Sequence, residues 1–207
     1  MKTIKLKHIL SFVFMFLISL SCLSLMGCSK DSKIDLDNDK ILVTYFSATG
    51  STRNVAQVIK DYLNCDIAEI VPTQEYTSSD LNWNNSQSRV NAEHNARVNN
   101  DTNSQYYRPA FNFNIDDLSQ YDTIFIGYPI WWGEAPNIIY NFLEQNSNNF
   151  ENKTIIPFCT SASSGLGQSA THLHSCTTST ANWYSGQRFS SNVSKSTIEN
   201  WVEQLKK

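Results

Sequence analysis

Ser47-Ala48-Thr49-Gly50-Ser51-Thr52 brings four hydroxyls and a glycine into six residues. It lies between the apolar run Ile41 to Phe46 and a helical pattern of apolar residues at Val55, Ile59, Tyr62 and Leu63. A loop so placed turns backbone N–H groups at a helix N-terminus toward an anion, and the helix dipole favours negative charge there. The hydroxyls add donors, and Gly50 permits close approach or an unusual dihedral. No lysine stands in the loop, so this is not the GxxxxGK[ST] pattern that handles triphosphates. A terminal phosphate held by neutral donors is the chemistry it suits. The plain alternative is a Ser/Thr-rich helix cap.

Gly127-Tyr128-Pro129-Ile130-Trp131-Trp132-Gly133 follows a second apolar run. Two tryptophans in a loop are costly to expose. A flat aromatic ligand such as isoalloxazine would give Trp131 and Trp132 a stacking partner, and folding into the core is the other outlet. A third loop, Thr160-Ser161-Ala162-Ser163-Ser164-Gly165, is small and polar. It allows backbone to hydrogen-bond a ligand edge, or is an ordinary turn after a strand. Three such loops at strand carboxyl ends predict one shared crevice.

Other chemistry-bearing residues carry less. Glu134 flanks the tryptophans and is expected as a first-turn helix carboxylate. His172, His174 and Cys176 alternate, but no fourth metal ligand is evident and the segment reads as helical. Arg89, Glu93 and Arg97 are spaced as a solvated charge set rather than a nicotinamide phosphate site. Cys65, Cys159 and Cys176 read as core thiols, with a Cys159–Cys176 disulfide as the alternative.

The elements that must position these loops follow from the apolar patterning. Ile41 to Phe46, Thr123 to Tyr128 and Thr154 to Cys159 are short, nearly continuous apolar runs, as in strands buried on both faces. Cys65 to Val71 alternates as a strand that Pro72 ends, and Trp183 to Phe189 suits a short edge strand. Helices are expected over Arg89 to Val98, after Pro136, over Leu166 to His174 and over Ser194 to Lys207. Strands alternating with helices predict an α/β doubly wound three-layer sandwich. Residues 73 to 115 are polar and carry little pattern.

The chain has 207 residues, 41% hydrophobic and 12% aromatic, with a formal net charge of -3. That balance excludes a basic nucleic-acid surface. Lys2, Lys5 and Lys7 precede an apolar stretch from Ile9 to Leu25, the pattern of an export signal. Leu25-Met26-Gly27-Cys28 resembles the bacterial lipoprotein signal, which implies cleavage before Cys28 and a lipid on its thiol. An uncleaved membrane anchor is the alternative. The expected organisation is therefore a signal peptide over 1–27, a flexible tether over 28–39 and a folded domain over 40–207. Loss of residues 1 to 27 leaves 13 basic against 19 acidic residues, a net charge of -6.

From Ile41 onward the three loops resemble those of the flavodoxin family, in particular a branch with Trp-Trp-Gly in its second loop. The resemblance implies a five-stranded parallel sheet in order 2-1-3-4-5 and the cofactor flavin mononucleotide (FMN) at its carboxyl edge. By it, Ser47, Ala48, Thr49, Gly50, Ser51 and Thr52 hold the 5′-phosphate. Pro129, Ile130, Trp131, Trp132 and Gly133 stack on and hydrogen-bond the ring, and Thr160, Ser161, Ala162, Ser163 and Gly165 meet its pyrimidine side. The implied activity is electron transfer with a redox partner protein or a small acceptor, the acidic surface lowering the potential of the most reduced flavin couple. With the Cys28 signal, the expected location is the extracytoplasmic face of a bacterial membrane, lipid-anchored. The alternatives are an FMN-dependent reductase using a nicotinamide donor, with residues 73–115 shaping its pocket, and a surface module that has lost its flavin.

Overall fold

The computed structural model describes residues 33–206. Residues 1–32, with the signal and Cys28, lie outside them. Five strand positions form the main sheet: β1 (Ile41–Tyr45), β2 (Asp66–Glu69), β5 (Thr123–Pro129), β6 (Thr154–Thr160), and a fifth divided into β7 (Asn182–Trp183) and β8 (Gln187–Phe189). The order is β2-β1-β5-β6-β7/β8, all parallel, which is the expected 2-1-3-4-5.

Side chains alternate along each strand, so each central strand feeds two cores. Ile41, Val43, Phe125, Ile156 and Phe158 face helices α1 (Ser51–Leu63) and α5 (Lys195–Leu205) through Val55, Ile59, Ile198 and Val202. Leu42, Ile124, Ile126 and Ile155 face the opposite layer. There α3 (Asn137–Gln145) contributes Ile138, Ile139, Phe142 and Leu143, and the short α4 (Ser169–Leu173) contributes Leu173. Burial on both faces is why these strands read as continuous apolar runs.

The fifth strand is divided for a chemical reason. Tyr184 N–H donates to Ile155 C=O, so the odd-numbered residues of β6 turn their polar groups toward this edge. Pro157 is the next odd residue and has no N–H to give. The ladder resumes at Phe158–Thr160 opposite Gln187–Phe189. Gly186 passes the gap so closely that a Cβ there would lie 2.8 Å from Pro157 O.

The tether does not extend to residue 39: Ile34 and Leu36 are buried at 5% and 4% exposure. Ile34 N–H donates to Leu205 C=O at 2.8 Å, and Lys206 pairs with Asp37 at 3.0 Å. Apolar residues at 34 and 36 gave this segment a core to join. Arg89 and Glu93 are not solvated either. They pair at 2.8 Å inside the protein, their side chains 8% and 3% exposed. Both lie on α2 (Arg89–Val98) in the 73–115 segment, whose ends are joined by a short antiparallel pairing between β3 (Val71–Pro72) and β4 (Phe111–Asn112). Glu93 Oε1 also accepts from the Tyr76 hydroxyl at 2.7 Å, and the Arg89 guanidinium lies 3.8 Å over the Tyr76 ring. Burial pushes the Glu93 carboxyl above its ordinary range despite these donors. A helix with little apolar face was legible; that its charges pair inward was not, because spacing is the same in both cases.

Two substitutions test this packing. Arg89→Ala leaves Glu93 buried without its cation and should cost about 3–5 kcal/mol in urea unfolding, while the double variant Arg89→Met/Glu93→Leu should recover most of that. Gly127 lies against the Phe158 ring, where a methyl group would overlap it. Gly127→Ala should lower stability by about 1–3 kcal/mol.

Candidate functional site

All three loops leave the carboxyl ends of β1, β5 and β6, as parallel strand direction requires. They border one cavity of about 380 Å³. Thr49 comes from the first loop, Ile130, Trp131 and Trp132 from the second, and Ser161 to Ser164 from the third. Leu81, Trp83 and Val90 of the 73–115 segment add a fourth side. None of these lining residues is ionisable.

The first loop begins α1 with Gly50 at φ +88, no side-chain cap, and open space where its Cβ would be. Helix geometry leaves the N–H groups of Ser51, Thr52 and Arg53 without intrahelical acceptors. Gly50 N–H donates to Ser47 Oγ at 3.1 Å, which sets the turn. Ser47 and Ala48 border a smaller neighbouring hollow with Arg53, Glu69 and Tyr76, rather than the main cavity. Arg53 is already committed to Glu69 at 2.7 Å. The Thr52 hydroxyl is turned inward, 2.8 Å from that of Thr160, and both residues are buried. That bond ties the first loop to the third, so these two hydroxyls act beneath the cavity.

The second loop is a tight reversal. Trp131 N–H donates to Glu134 C=O and Glu134 N–H to Trp131 C=O, at 2.9 and 3.0 Å. The two residues between them, Trp132 and Gly133, have φ +54 and +77, as in a type I′ turn. Positive φ in a residue as bulky as tryptophan is strained. The turn carries the two rings in different directions. Trp131 turns inward and meets Phe46 and Tyr76 edge-on, at 5.5 and 5.2 Å between centroids. Trp132 turns outward, 46% exposed, and stacks on His94 at 4.8 Å. The expectation of a pair of rings stacked on one ligand thus becomes two rings in separate settings, both bordering the cavity. Pro129 closes β5 before this turn.

The third loop is held by a residue that sequence reasoning missed. Arg188 on β8 donates from Nε to Ser161 Oγ at 3.0 Å, and from Nη2 to the carbonyls of Ser161 and Ala162 at 2.7 and 3.0 Å. Ser163 borders the cavity, whereas Thr160 lies below it and Gly165 is not among its lining residues. Trp83 was also missed. It is 64% exposed, and the buried Asn91 amide donates to its carbonyl at 3.0 Å. An exposed tryptophan in a polar stretch was the available signal.

Glu134 is not in the first turn of α3, which begins at Asn137. Its carboxylate lies 2.9 Å from His172 Nδ1 and accepts from the Tyr140 hydroxyl at 3.3 Å. His174 instead stacks on Trp183, and the Cys176 thiol faces Glu144 at 3.8 Å, so His172, His174 and Cys176 face three different partners. Cys65, Cys159 and Cys176 are free thiols, and burial pushes them up to about 12, 12 and 11.

Comparison with known proteins agrees with this geometry. The family model described as Flavodoxin matches residues 40–205. A structure from Bacteroides eggerthii, described as a flavoprotein, is 39% identical with a TM-score of 0.68, covering 81% of this chain and 98% of that one. One from Bacteroides uniformis, described in the same way, is 36% identical with a TM-score of 0.68, covering 79% and 97%. A flavoprotein from Lactobacillus acidophilus, solved in complex with FMN, shares the fold at 20% identity and a TM-score of 0.59, covering 79% and 99%. No curated protein matches the chain. Sheet order, loop placement and these matches together mean that the chain belongs to the flavodoxin family.

Proposed function

We propose that this protein carries FMN and transfers electrons at a membrane surface, held there by a lipid on Cys28. One observation carries the cofactor reading: an uncharged cavity with aromatic sides adjoins a helix N-terminus with unpaired N–H groups. Those N–H groups, with the Ser47, Thr49 and Ser51 hydroxyls, suit a phosphate without a countercation. Ile130, Trp131, Trp132 and Trp83 suit a flat ring, and the serines of the third loop suit its polar edge. Bound FMN supplies one- and two-electron redox chemistry. The residues named would position the ring and keep charge away from it. The FMN complex of the Lactobacillus relative supports the choice of flavin.

A second reading is a reductase acting on a small acceptor, favoured by the apolar side that Leu81, Trp83 and Val90 add to the cavity. The lining offers no cation to the diphosphate of a nicotinamide donor, which favours the carrier. Steady NAD(P)H oxidation by the purified holoprotein would establish the reductase instead.

The anchoring reading rests on the sequence around Cys28. Among the described residues no helix is long and apolar enough to cross a membrane.

Purified protein mixed with FMN should bind one equivalent and show resolved flavin bands; protein that stays colourless removes the proposal. Gly50→Ala forces a side chain into a left-handed position beside the phosphate site. It should weaken FMN at least tenfold while leaving riboflavin, which has no phosphate, nearly unchanged in a fluorescence titration. Cys28→Ala should abolish incorporation of labelled palmitate and move the protein from the membrane to the soluble fraction.

A further inference from the structure

The described chain begins at one pole of the domain and the cavity lies at the other. Helix α1 starts beside the first loop and ends at Leu63, next to the point where β2 enters the sheet. The Tyr62 hydroxyl donates to Glu203 at 2.7 Å, so the end of α5 lies at that same entry pole. The entry segment is fastened there by the Ile34–Leu205 bond, the Lys206–Asp37 pair and a contact from Lys33 to the Gln204 carbonyl. Asp39 accepts from the Thr123 hydroxyl at the first residue of β5, and Lys40 N–H donates to Asp122 at 2.9 Å. Residues 33–40 are thus bound to the amino ends of the strands. Thr49, Trp132 and Ser163 stand at the carboxyl ends.

We infer that a membrane-held form of this protein keeps its cavity facing the aqueous side, and that its electron partner is a water-borne redox protein or solute, not a quinone dissolved in the bilayer. The inference rests on the anchoring proposed above, and the cofactor reading does not enter it. With residues 34–39 docked, only five peptide units separate Cys28 from Lys33. Fully extended they reach about 18 Å. A domain of this size has a radius of gyration of about 16 Å and is roughly 40 Å across. To bring the cavity onto the lipid, the connection would have to span at least the width of the domain from the entry pole, and it is too short by a factor of about two. Had all of residues 28–39 been free, the reach would have been about 43 Å, comparable with that width. The docking of Ile34 and Leu36 is what shortens the reach below that width.

The test uses the full-length, lipid-modified protein in phosphatidylethanolamine/phosphatidylglycerol vesicles containing a headgroup nitroxide quencher. A fluorophore is attached at Gln204→Cys, at the entry pole, or at Asn82→Cys, beside the cavity. Both positions are exposed, whereas Cys159 and Cys176 are buried and Cys65 is half-buried, and burial raises all three thiols so that they react slowly. Quenching at 204 should exceed that at 82 at least threefold. Insertion of 25 Gly/Ser residues between Ser32 and Lys33, with a span of about 28 Å, should raise quenching at 82 and narrow the difference. Equal quenching at both positions without the insertion overturns the orientation while leaving the anchor in place. Protein that fails to float with the vesicles overturns the anchor and the orientation together, and FMN binding by the same sample shows that the cofactor reading survives.

Discussion

Parallel strand pairing is the constraint on which everything else depends. A parallel strand must be followed by a crossover before the next can pair beside it, so each link leaves from the carboxyl edge and returns to the amino edge. Every strand therefore donates its following loop to the same end of the molecule. Burial of β1, β5 and β6 on both faces locks that arrangement, because each strand feeds the α1/α5 core with one set of side chains and the α3 core with the other. The cavity is a by-product of topology, and the loops only had to become suitable for a ligand where they already met. The same rule places the entry segment at the opposite end.

The site then depends on groups lying behind it. Tyr76 meets Trp131 edge-on and donates to Glu93, whose other partner is Arg89. The orientation of a cavity tryptophan is in this way backed by a buried ion pair in the segment with least sequence pattern. Burying two charges is expensive, and replacing such a pair by apolar residues is often neutral for stability. What the pair provides here is geometry, since the carboxylate fixes the phenol and the phenol fixes the indole. Arg188 does the equivalent for the third loop through its carbonyls. Thr52 and Thr160 join the two loops from beneath.

Much of this was legible in the sequence, and the parts that were not share a cause. Continuous apolar runs announced the central strands, and Ser/Thr/Gly clusters after them announced the loops, because both are local patterns. Arg89 to Val98 was readable as a helix, but the fate of its charges depended on Tyr76 and Gln74, which lie more than ten positions away. That Trp131 and Trp132 stand in a loop after a strand was readable; their opposite directions belong to a turn with positive φ at Trp132, which only the closed turn reveals. Thr52 and Thr160 look alike on paper to their neighbours, yet they face each other across 108 positions of chain. Long-range pairing of polar groups leaves no periodic trace.

Pro157 has a consequence beyond the division of one strand. An unbroken outer strand is a template on which another chain can lay its own backbone. Here that edge consists of a two-residue and a three-residue piece, with a gap where β6 has no hydrogen to offer. The other edge is β2, four residues long. Were the protein held at a membrane as proposed, its copies would meet at high local concentration, the condition under which strand addition becomes a hazard. A sheet blunt at both margins is one that crowding cannot easily extend.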